Sequence, residues 1–426
     1  MENARIFPVV GDPIARGVLV LRDGKVAAIG AVGAVEIPAG ATRIDLAGKT
    51  IIPGIVDTHS HVGGIGAGDS SATTHPDARV YDSINPLDPG FKRALAGGIT
   101  TINVMPGSGH LLSGTTVYLK PRGGATVDDL AIADARGGPA GGVKMANGTN
   151  PLRAPPFTGT RGKSAAVVRQ MLVKAQEYAE KVRSAGDDRA KLPPRDLGNE
   201  TLAGVLDRSR IVHHHTHRAD DVATVMRIAK EFNLRVVLQH VSEGYKVAGQ
   251  IRAAQDAGHI VGCSVILVDS PGGKLETAEA RFENAAILEK AGVLVAFHTD
   301  DWITDSRLFL RSAALGVRAG MSPEGALRAM TINGAKMLDL QARVGSLEVG
   351  KDADVVVLSG DPFSVYTKVE QTWVEGRKLF DRAEAQDRLW ATGGFGAGAP
   401  VKPYLCCQDE SEYFNFGRRQ WSAGGR

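Results

Sequence analysis

Apolar residues follow two alternating patterns along the middle of the chain. Short, nearly continuous apolar runs, such as Ile99–Val104, are typical of strands that are buried on both faces. Between these runs, apolar residues recur at helical spacing, as at Val222, Val225 and Ala229. Repeated strand–helix units over residues 54–340 predict an α/β fold, and we expect an eight-stranded parallel (β/α)8 TIM barrel. A doubly wound parallel sheet is the alternative.

Both ends of this region carry shorter apolar runs that are separated by turn residues. Asp23-Gly24 lies between two alternating runs and predicts a hairpin, and Gly360-Asp361-Pro362 marks a comparable turn. We therefore expect residues 1–53 and 341–385 to form one small β-sandwich domain beside the barrel of residues 54–340.

Residues 386–426 form a glycine- and aromatic-containing C-terminal extension. We expect its aromatic side chains to pack on the barrel or on a neighbouring subunit, which would make the protein a homo-oligomer. These side chains are Tyr404, Tyr413, Phe414, Phe416 and Trp421.

The charge and the cysteine content limit the classes of function. Fifty Lys and Arg against 47 Asp and Glu give a net charge of +3, which argues against a nucleic-acid partner. Three cysteines, of which Cys406 and Cys407 are adjacent, encode no disulfide framework and favour a reducing compartment. The N-terminus has no secretory signal pattern, and no apolar run is long enough to span a membrane. We expect a cytoplasmic protein that acts on a small molecule.

His59 and His61 are the first candidates for chemistry. They follow the apolar run Thr50–Val56, and alternate side chains of an extended chain share one face, so both imidazoles would point toward a common ion. A buried pair of histidines without a metal is the alternative.

Further histidines and one aspartate lie at the ends of other predicted strands. A TIM barrel places its chemistry at the carboxyl ends of its strands, so these side chains are expected to lie together. They are His215, His217, His240 and Asp300, to which we add Lys144. Neutral imidazoles with one carboxylate suit Zn²⁺ or a similar divalent ion, which lowers the pKa of bound water toward about 7 and predicts hydrolysis.

The candidates differ in their expected roles. Among His213, His215 and His217, which alternation places on one face, we favour His215 as a ligand and His217 as a substrate or outer-shell residue. Arg218 could hold a substrate carboxylate, although a salt bridge to Asp220 or Asp221 is equally open.

Three further residues complete the set of candidates. Tyr118 could face the substrate, or it could pack in the core. Asp300 could accept a proton from the attacking water and pass it to the leaving group, or it could cap the helix that follows. Lys144 would be costly to bury unless it is paired or modified, and a carboxylated lysine would supply an anion that bridges two metals.

Several segments together resemble the amidohydrolase superfamily, and within it the imidazolonepropionase-related branch. The resemblance covers roughly residues 16–380. The segments are GKTIIPGIVDTHSHV, ALAGGITTINVMPGSG, GVKMANGTNP, HHHTHRADDV, VVLQHVSEGY and TINGAKMLDLQARVGSLEVGKDADVVVLSGDPF.

The resemblance implies a (β/α)8 barrel with a β-sandwich built from both termini. It implies that His59 and His61 bind metal from the first strand, and that Asp300 is both ligand and proton shuttle. It also implies ligand roles for His215 on the fifth strand and His240 on the sixth. Lys144 matches a fourth-strand lysine that is carboxylated in binuclear members, so the number of ions, one or two, stays open.

The leading hypothesis is hydrolysis of a C–N bond in an N-acyl amino acid, a dipeptide or a cyclic amide. Deamination of a heterocyclic base is the nearest rival, and release of ammonia separates the two. A non-catalytic barrel scaffold is the rival from another class, but a scaffold has no need of the full ligand set.

Overall fold

The computed structural model describes residues 1–66, 68–69, 71–267, 274–301 and 303–393. The aromatic residues predicted to pack in the C-terminal extension lie outside these ranges. None of the helices in the described ranges combines the length and apolar character that crossing a bilayer requires.

A seven-stranded mixed sheet joins the two ends of the chain. Its strand order is β16-β15-β14-β4-β1-β2-β3. The strands are β1 (Glu2–Ile6), β2 (Ile14–Arg22), β3 (Lys25–Ala31), β4 (Thr50–Pro53), β14 (Val355–Leu358), β15 (Val369–Val374) and β16 (Arg377–Asp381). The predicted joining of both ends in one β unit is therefore seen, whereas the domain boundaries stay a prediction.

The central strands are of the TIM-barrel type. They are β5 (Ile55–Ser60), β6 (Ile99–Val104), β7 (Leu112–Thr115), β8 (Val117–Leu119), β9 (Val143–Ala146), β10 (Val212–Thr216), β11 (Val236–His240), β12 (Ile260–Val265) and β13 (Val295–Phe297). They form two hydrogen-bonded sheets, in the orders β13-β12-β11-β10-β9-β7 and β5-β6-β8. β5 and β6 are parallel, as are β9 to β13. The expected fold class is confirmed, with one local departure: β8 pairs antiparallel with β6, and β7 pairs antiparallel with β9.

Ten α-helices accompany these strands in the described ranges. They are α1 (Pro89–Ala96), α2 (Arg161–Ala185), α3 (Leu197–Leu206), α4 (Ala219–Glu231), α5 (Ala248–Asp256), α6 (Asn284–Lys290), α7 (Phe309–Arg318), α8 (Pro323–Met330), α9 (Ile332–Met337) and α10 (Ala385–Thr392). In α4, Val222, Val225 and Ala229 are buried, as their helical spacing predicts.

A buried ion network ties the barrel to the terminal sheet. The ammonium of Lys120, which follows β8 and is completely buried, lies 2.6 Å from an Asp352 carboxylate oxygen and 3.0 Å from one of Asp354. Both aspartates precede β14. Because two buried carboxylates surround one buried cation, the barrel and the terminal sheet are held together by charge as well as by apolar packing.

Parallel strands direct their carboxyl ends to one edge of the barrel. The side chains at the ends of β5, β10, β11 and β13 meet there, and the backbone N–H of Asp300 donates to the carbonyl of His59 at 2.9 Å. This hydrogen bond joins the last strand end to the first, which brings residues far apart in sequence into one site.

Candidate metal centre

Three ligand atoms converge at the end of β5. The Nε2 atoms of His59 and His61 are 3.4 Å apart, and Oδ1 of Asp300 lies 3.5 Å from the first and 2.9 Å from the second. Two imidazole nitrogens and one carboxylate oxygen at these distances can bind a divalent cation.

The second nitrogen of each ring is held by an oxygen atom that can only accept. His61 donates from Nδ1 to the Met105 carbonyl at 2.8 Å, and His59 donates from Nδ1 to Oε1 of Gln239 at 3.3 Å. These bonds place the proton on Nδ1 and leave both Nε2 lone pairs free for an ion.

Asp300 is held in a conformation that non-glycine residues rarely adopt. Its φ angle is 47°, and that of His240 is 69°, so both strand ends turn through the left-handed region. Burial raises the pKa of Asp300, but the neighbouring basic side chains of His61, His298 and Lys144 together outweigh burial and lower that pKa below its ordinary value. The carboxylate is therefore ionised, as a ligand or a proton acceptor must be.

A second group of imidazoles lies directly against the first. Nδ1 of His240 is 3.0 Å from Nε2 of His298 and 3.9 Å from Oδ2 of Asp300. The ring of His215 stands 4.5 Å from that of His240. Burial is the main reason that the pKa values of His59, His215 and His240 lie well below the ordinary value, and neighbouring positive charge lowers them further. Each imidazole is therefore neutral, which is the form that binds metal.

Unpartnered nitrogens test whether these residues fit a metal. Both ring nitrogens of His215 and Nε2 of His240 are buried without a hydrogen-bond partner among the described residues. Buried polar atoms normally have a partner, so these nitrogens are suited to bind a metal ion. The described histidine clusters therefore suit a divalent ion.

Lys144 points into the same group from β9. Its Nζ lies 3.1 Å from Nε2 of His59 and 3.2 Å from the sulfur of Met105. Complete burial is the main reason that its pKa is lowered to about 7, with Asp300 opposing the change. A substantial share of the amine is then neutral near neutral pH, which carboxylation requires.

His217 and Glu276 extend the site beyond β10. Their ligand atoms and that of His215 lie within 4.8 Å of one another, and all three side chains are buried. His217, expected to be a substrate or outer-shell residue, is thus close to the predicted ligands.

Tyr118 packs among apolar side chains. It lies in an apolar cluster with Val56 and Ile132, and its hydroxyl is 3.0 Å from Nε2 of His213. The structure therefore supports the packing alternative for Tyr118, because the side chain belongs to the barrel interior.

Arg218 is engaged by a neighbour. Its guanidinium forms two hydrogen bonds with Asp220, at 3.0 and 2.9 Å, and both side chains are about half exposed. The salt bridge weighed as the alternative is the arrangement observed, so the geometry does not support Arg218 as the carboxylate anchor.

Sequence reasoning missed three side chains. His298 stands two residues before Asp300, the same alternation as His59 and His61, and that spacing could have identified it. Gln239 precedes His240 on β11, where a neutral amide gives no signal of its own. Glu276 lies in a short 3₁₀ turn (Leu275–Thr277) with no periodic pattern around it.

Comparisons with known proteins identify the class that this barrel and its ligand set define. The model of the Amidohydrolase family matches residues 50–379. The chain belongs to the amidohydrolase family.

Individual relatives agree with this assignment. The chain is 25% identical over 394 residues to "Amidohydrolase tasK" of Hapsidospora irregularis, a match that covers 86% of this chain but only 39% of that protein. It is 26% identical over 399 residues to an imidazolonepropionase of Symbiobacterium thermophilum, covering 84% and 86% of the two chains. The crystal structure of an amidohydrolase from Thermotoga maritima superposes with a TM-score of 0.82 at 33% identity, covering 89% and 99%.

Proposed function

We propose that this protein is a hydrolase that cleaves the amide bond of a small substrate, namely an N-acyl amino acid, a dipeptide or a cyclic amide. The observation that carries the proposal is the position of Asp300, whose carboxylate lies against both His59 and His61. One carboxylate placed among imidazole ligands can both help to hold an ion and accept a proton from water beside it.

We assign the first ion to His59, His61 and Asp300, with His215, His240 and Lys144 as the further predicted ligands. Zn²⁺ is our choice of metal, because a histidine-rich set with one carboxylate is its usual coordination. When bound, such an ion polarises the scissile carbonyl and lowers the pKa of a coordinated water toward about 7.

The residues of the chain then divide the proton transfers. Oδ2 of Asp300 accepts the proton of the attacking water, since Oδ1 is the oxygen nearer to both Nε2 atoms. The same carboxyl group returns that proton to the leaving nitrogen, so the amine departs neutral. In a mononuclear form, His240, whose Nδ1 lies 3.9 Å from Oδ2, would orient the water instead of binding the metal.

Lys144 is the candidate for the bridging anion of a binuclear form. Its neutral amine would add CO₂, form a carbamate and release one proton. The short distance from its Nζ to Nε2 of His59 supports a ligand role for that carbamate.

Turnover by metal-loaded protein tests the proposal. Chelator-stripped protein is reloaded with Zn²⁺ or Mn²⁺ and incubated with N-acyl amino acids, dipeptides and cyclic amides, and the products are identified by mass. Addition of water across an amide supports the proposal. Ammonia released from heterocyclic bases would instead indicate a deaminase, and a protein that refuses both metals would indicate a scaffold.

A further inference from the structure

Glu276 is a buried carboxylate with one oxygen bonded and one oxygen unpaired. The residue is 4% exposed, and its Oε2 accepts a hydrogen bond from the backbone N–H of Thr149 at 2.8 Å. Oε1 is buried and has no partner among the described residues. Because an unpaired buried carboxylate is costly, we expect a positively charged ligand group to bind at Oε1.

This carboxylate lies next to the metal centre. One of its oxygens is within 4.8 Å of a ring nitrogen of His215 and of a ring nitrogen of His217. Nδ1 of His217 lies 2.8 Å from the hydroxyl of Ser242, and its Nε2 makes no hydrogen bond to the described residues. A charged group bound at Oε1 would therefore belong to the molecule that reacts at the metal centre.

The loop after β9 fixes the position of the carboxylate. Gly148 has a φ angle of +79°, and a Cβ atom at this position would lie 2.6 Å from Oε2 of Glu276. The next residue, Thr149, donates its N–H to the same oxygen. Because two consecutive backbone positions enclose Oε2, Oε1 is the oxygen that remains for a ligand.

The same loop also holds a lysine ammonium. Nζ of Lys274 donates to Oδ1 of Asn150 at 3.1 Å, and the amide nitrogen of Asn150 donates to the Ser108 hydroxyl at 2.7 Å. Within the part of the chain that the structure describes, no carboxylate forms an ion pair with this exposed lysine. Since Asn150 directly follows the residue that contacts Glu276, an unpaired negative charge and an unpaired positive charge lie at neighbouring positions of the site.

We propose that the substrate is a dipeptide with free termini, whose α-ammonium binds Glu276 and whose α-carboxylate binds Lys274. The inference rests on the proposed function, because it selects one of the three substrate classes named there. An N-acyl amino acid lacks the ammonium, and a simple cyclic amide lacks both charges. The peptide bond of a dipeptide lies between its two charged ends, so anchoring both ends orients that bond at the metal centre.

The selectivity of the wild-type protein tests the proposal without any variant. The Zn²⁺-loaded full chain is assayed with a dipeptide, its N-acetylated form and its C-terminal amide, and cleavage of the same peptide bond is followed. We expect N-acetylation to lower kcat/KM about 30-fold or more, because it leaves a buried carboxylate unpaired. Amidation should lower it about 2- to 5-fold, because Lys274 is exposed. Equal or faster cleavage of the N-acetylated dipeptide overturns the proposal.

Glu276→Gln removes the charge and keeps an oxygen that can accept from the Thr149 N–H. We expect the preference for the free dipeptide over its N-acetylated form to fall to about one. Glu279→Gln is the matched control and should keep the wild-type preference, because this nearby carboxylate is exposed and contacts Lys246. A Glu276→Gln protein that loses the same factor on both substrates would show a structural role for Glu276 and overturn the proposal.

The carboxylate contact has its own pair of variants. Lys274→Met should abolish the preference for the free dipeptide over its C-terminal amide. Lys191→Met, which removes an exposed lysine that pairs with Asp188, should keep that preference. Equal preferences in the two variants would exclude Lys274 as the carboxylate anchor.

Binding of an uncleavable analogue gives a readout that does not depend on turnover. In this analogue a methylene replaces the amide N–H of the dipeptide, and calorimetry measures its Kd for the Zn²⁺-loaded protein. We expect Glu276→Gln to raise that Kd about 30-fold or more, and equal Kd values would contradict the proposal.

This inference and the proposed function fail in different ways. Hydrolysis of N-acyl amino acids without hydrolysis of dipeptides would overturn the inference and leave the proposed function intact. Metal-loaded protein that hydrolyses no amide at all would overturn the proposed function, and the inference with it.

Discussion

Oε1 of Gln239 lies 3.3 Å from Nδ1 of His59, and the amide nitrogen of the same side chain lies 3.2 Å from Nδ1 of His213. His213 in turn meets the Tyr118 hydroxyl, so a hydrogen-bonded chain runs from the barrel interior to a predicted metal ligand. Because an amide oxygen only accepts, Gln239 sets the tautomer of His59.

Replacing Gln239 should therefore weaken metal binding without removing a ligand. In Gln239→Leu we expect Zn²⁺ affinity to fall about 10- to 100-fold, the range typical of lost outer-shell partners. Competition with a zinc chelator measures this change. Gln371→Leu, on β15 of the terminal sheet, is the control, and equal affinities in the two variants would contradict a role for Gln239.

Tyr118 stands at the far end of that chain and should not affect substrate binding. For Tyr118→Phe we expect an unchanged KM and a small loss of stability, about 1 kcal/mol, from the lost hydrogen bond to His213. Steady-state kinetics and urea unfolding measure the two quantities. A raised KM with unchanged stability would restore the substrate role for Tyr118.

Asp300 and its neighbour Asp301 should differ sharply. Asp300→Asn removes the proton acceptor, so we expect kcat to fall about 10²- to 10⁴-fold with the fold retained by circular dichroism. Asp301 instead accepts a hydrogen bond from Ser306 at 2.7 Å, so Asp301→Asn should retain most activity. Comparable losses in both variants would argue that Asp300 acts through local structure alone.

Carboxylation of Lys144 should increase with pH. Since its pKa is lowered to about 7, the ammonium dominates below that value and the reactive neutral amine above it. Metal-free protein in ¹³C-bicarbonate should show a carbamate signal that is stronger about one unit above this pKa than about one unit below it. Lys144→Met should lack the signal, and a signal that persists in this variant would exclude Lys144 as its source.

Lys120 should contribute far more to stability than Lys25, although both contact Asp352. Lys120→Met leaves two buried carboxylates without their buried cation, and we expect a loss of about 3–5 kcal/mol. Lys25 is half exposed, so Lys25→Met should cost about 0–1 kcal/mol. Chemical denaturation of both variants measures the difference, and similar losses would contradict the network.

Acid should weaken the part of this network that involves Asp352, whereas burial raises the pKa of Asp354 and opposes the effect. Burial raises the pKa of Asp352, but the charge of Lys120 and its hydrogen bonds outweigh burial and lower this pKa to about 2. A depressed carboxyl pKa contributes stability above the unfolded value and loses it below, so unfolding free energy should fall between about pH 4 and pH 2. In Lys120→Met this acid-dependent loss should be smaller.

Local rules account for the parts of the fold that the sequence predicts well. Asp23 and Gly24 both adopt positive φ in the hairpin between β2 and β3, as the turn chemistry predicts. Ser322 caps α8 by accepting from the Gly325 N–H, with Pro323 in the first turn. The antiparallel strands β7 and β8 were not predicted. At this point of the barrel, two short strands separated by Thr116 stand where the pattern predicts one strand followed by a helix.

In the metal centre, too, the residues at strand ends can be predicted from the sequence, whereas those that act through long-range contacts cannot. The parallel barrel brings His59, His61 and Asp300 together because all three stand at strand ends, where sequence spacing locates them. Gln239 and Glu276 act through contacts across the barrel, to residues 180 and 127 positions away. No local pattern encodes such contacts, so only the folded chain reveals them.

The partners of Lys120 also constrain how the chain can assemble. Asp352 lies 232 residues after Lys120 in the chain. During synthesis, the Lys120 ammonium therefore has no carboxylate partner in this network until Asp352 has been made. A fragment that stops short of Asp352 should consequently fail to yield a compact barrel. We therefore expect the barrel to reach its final packing only after the segment that leads into β14 has been synthesised.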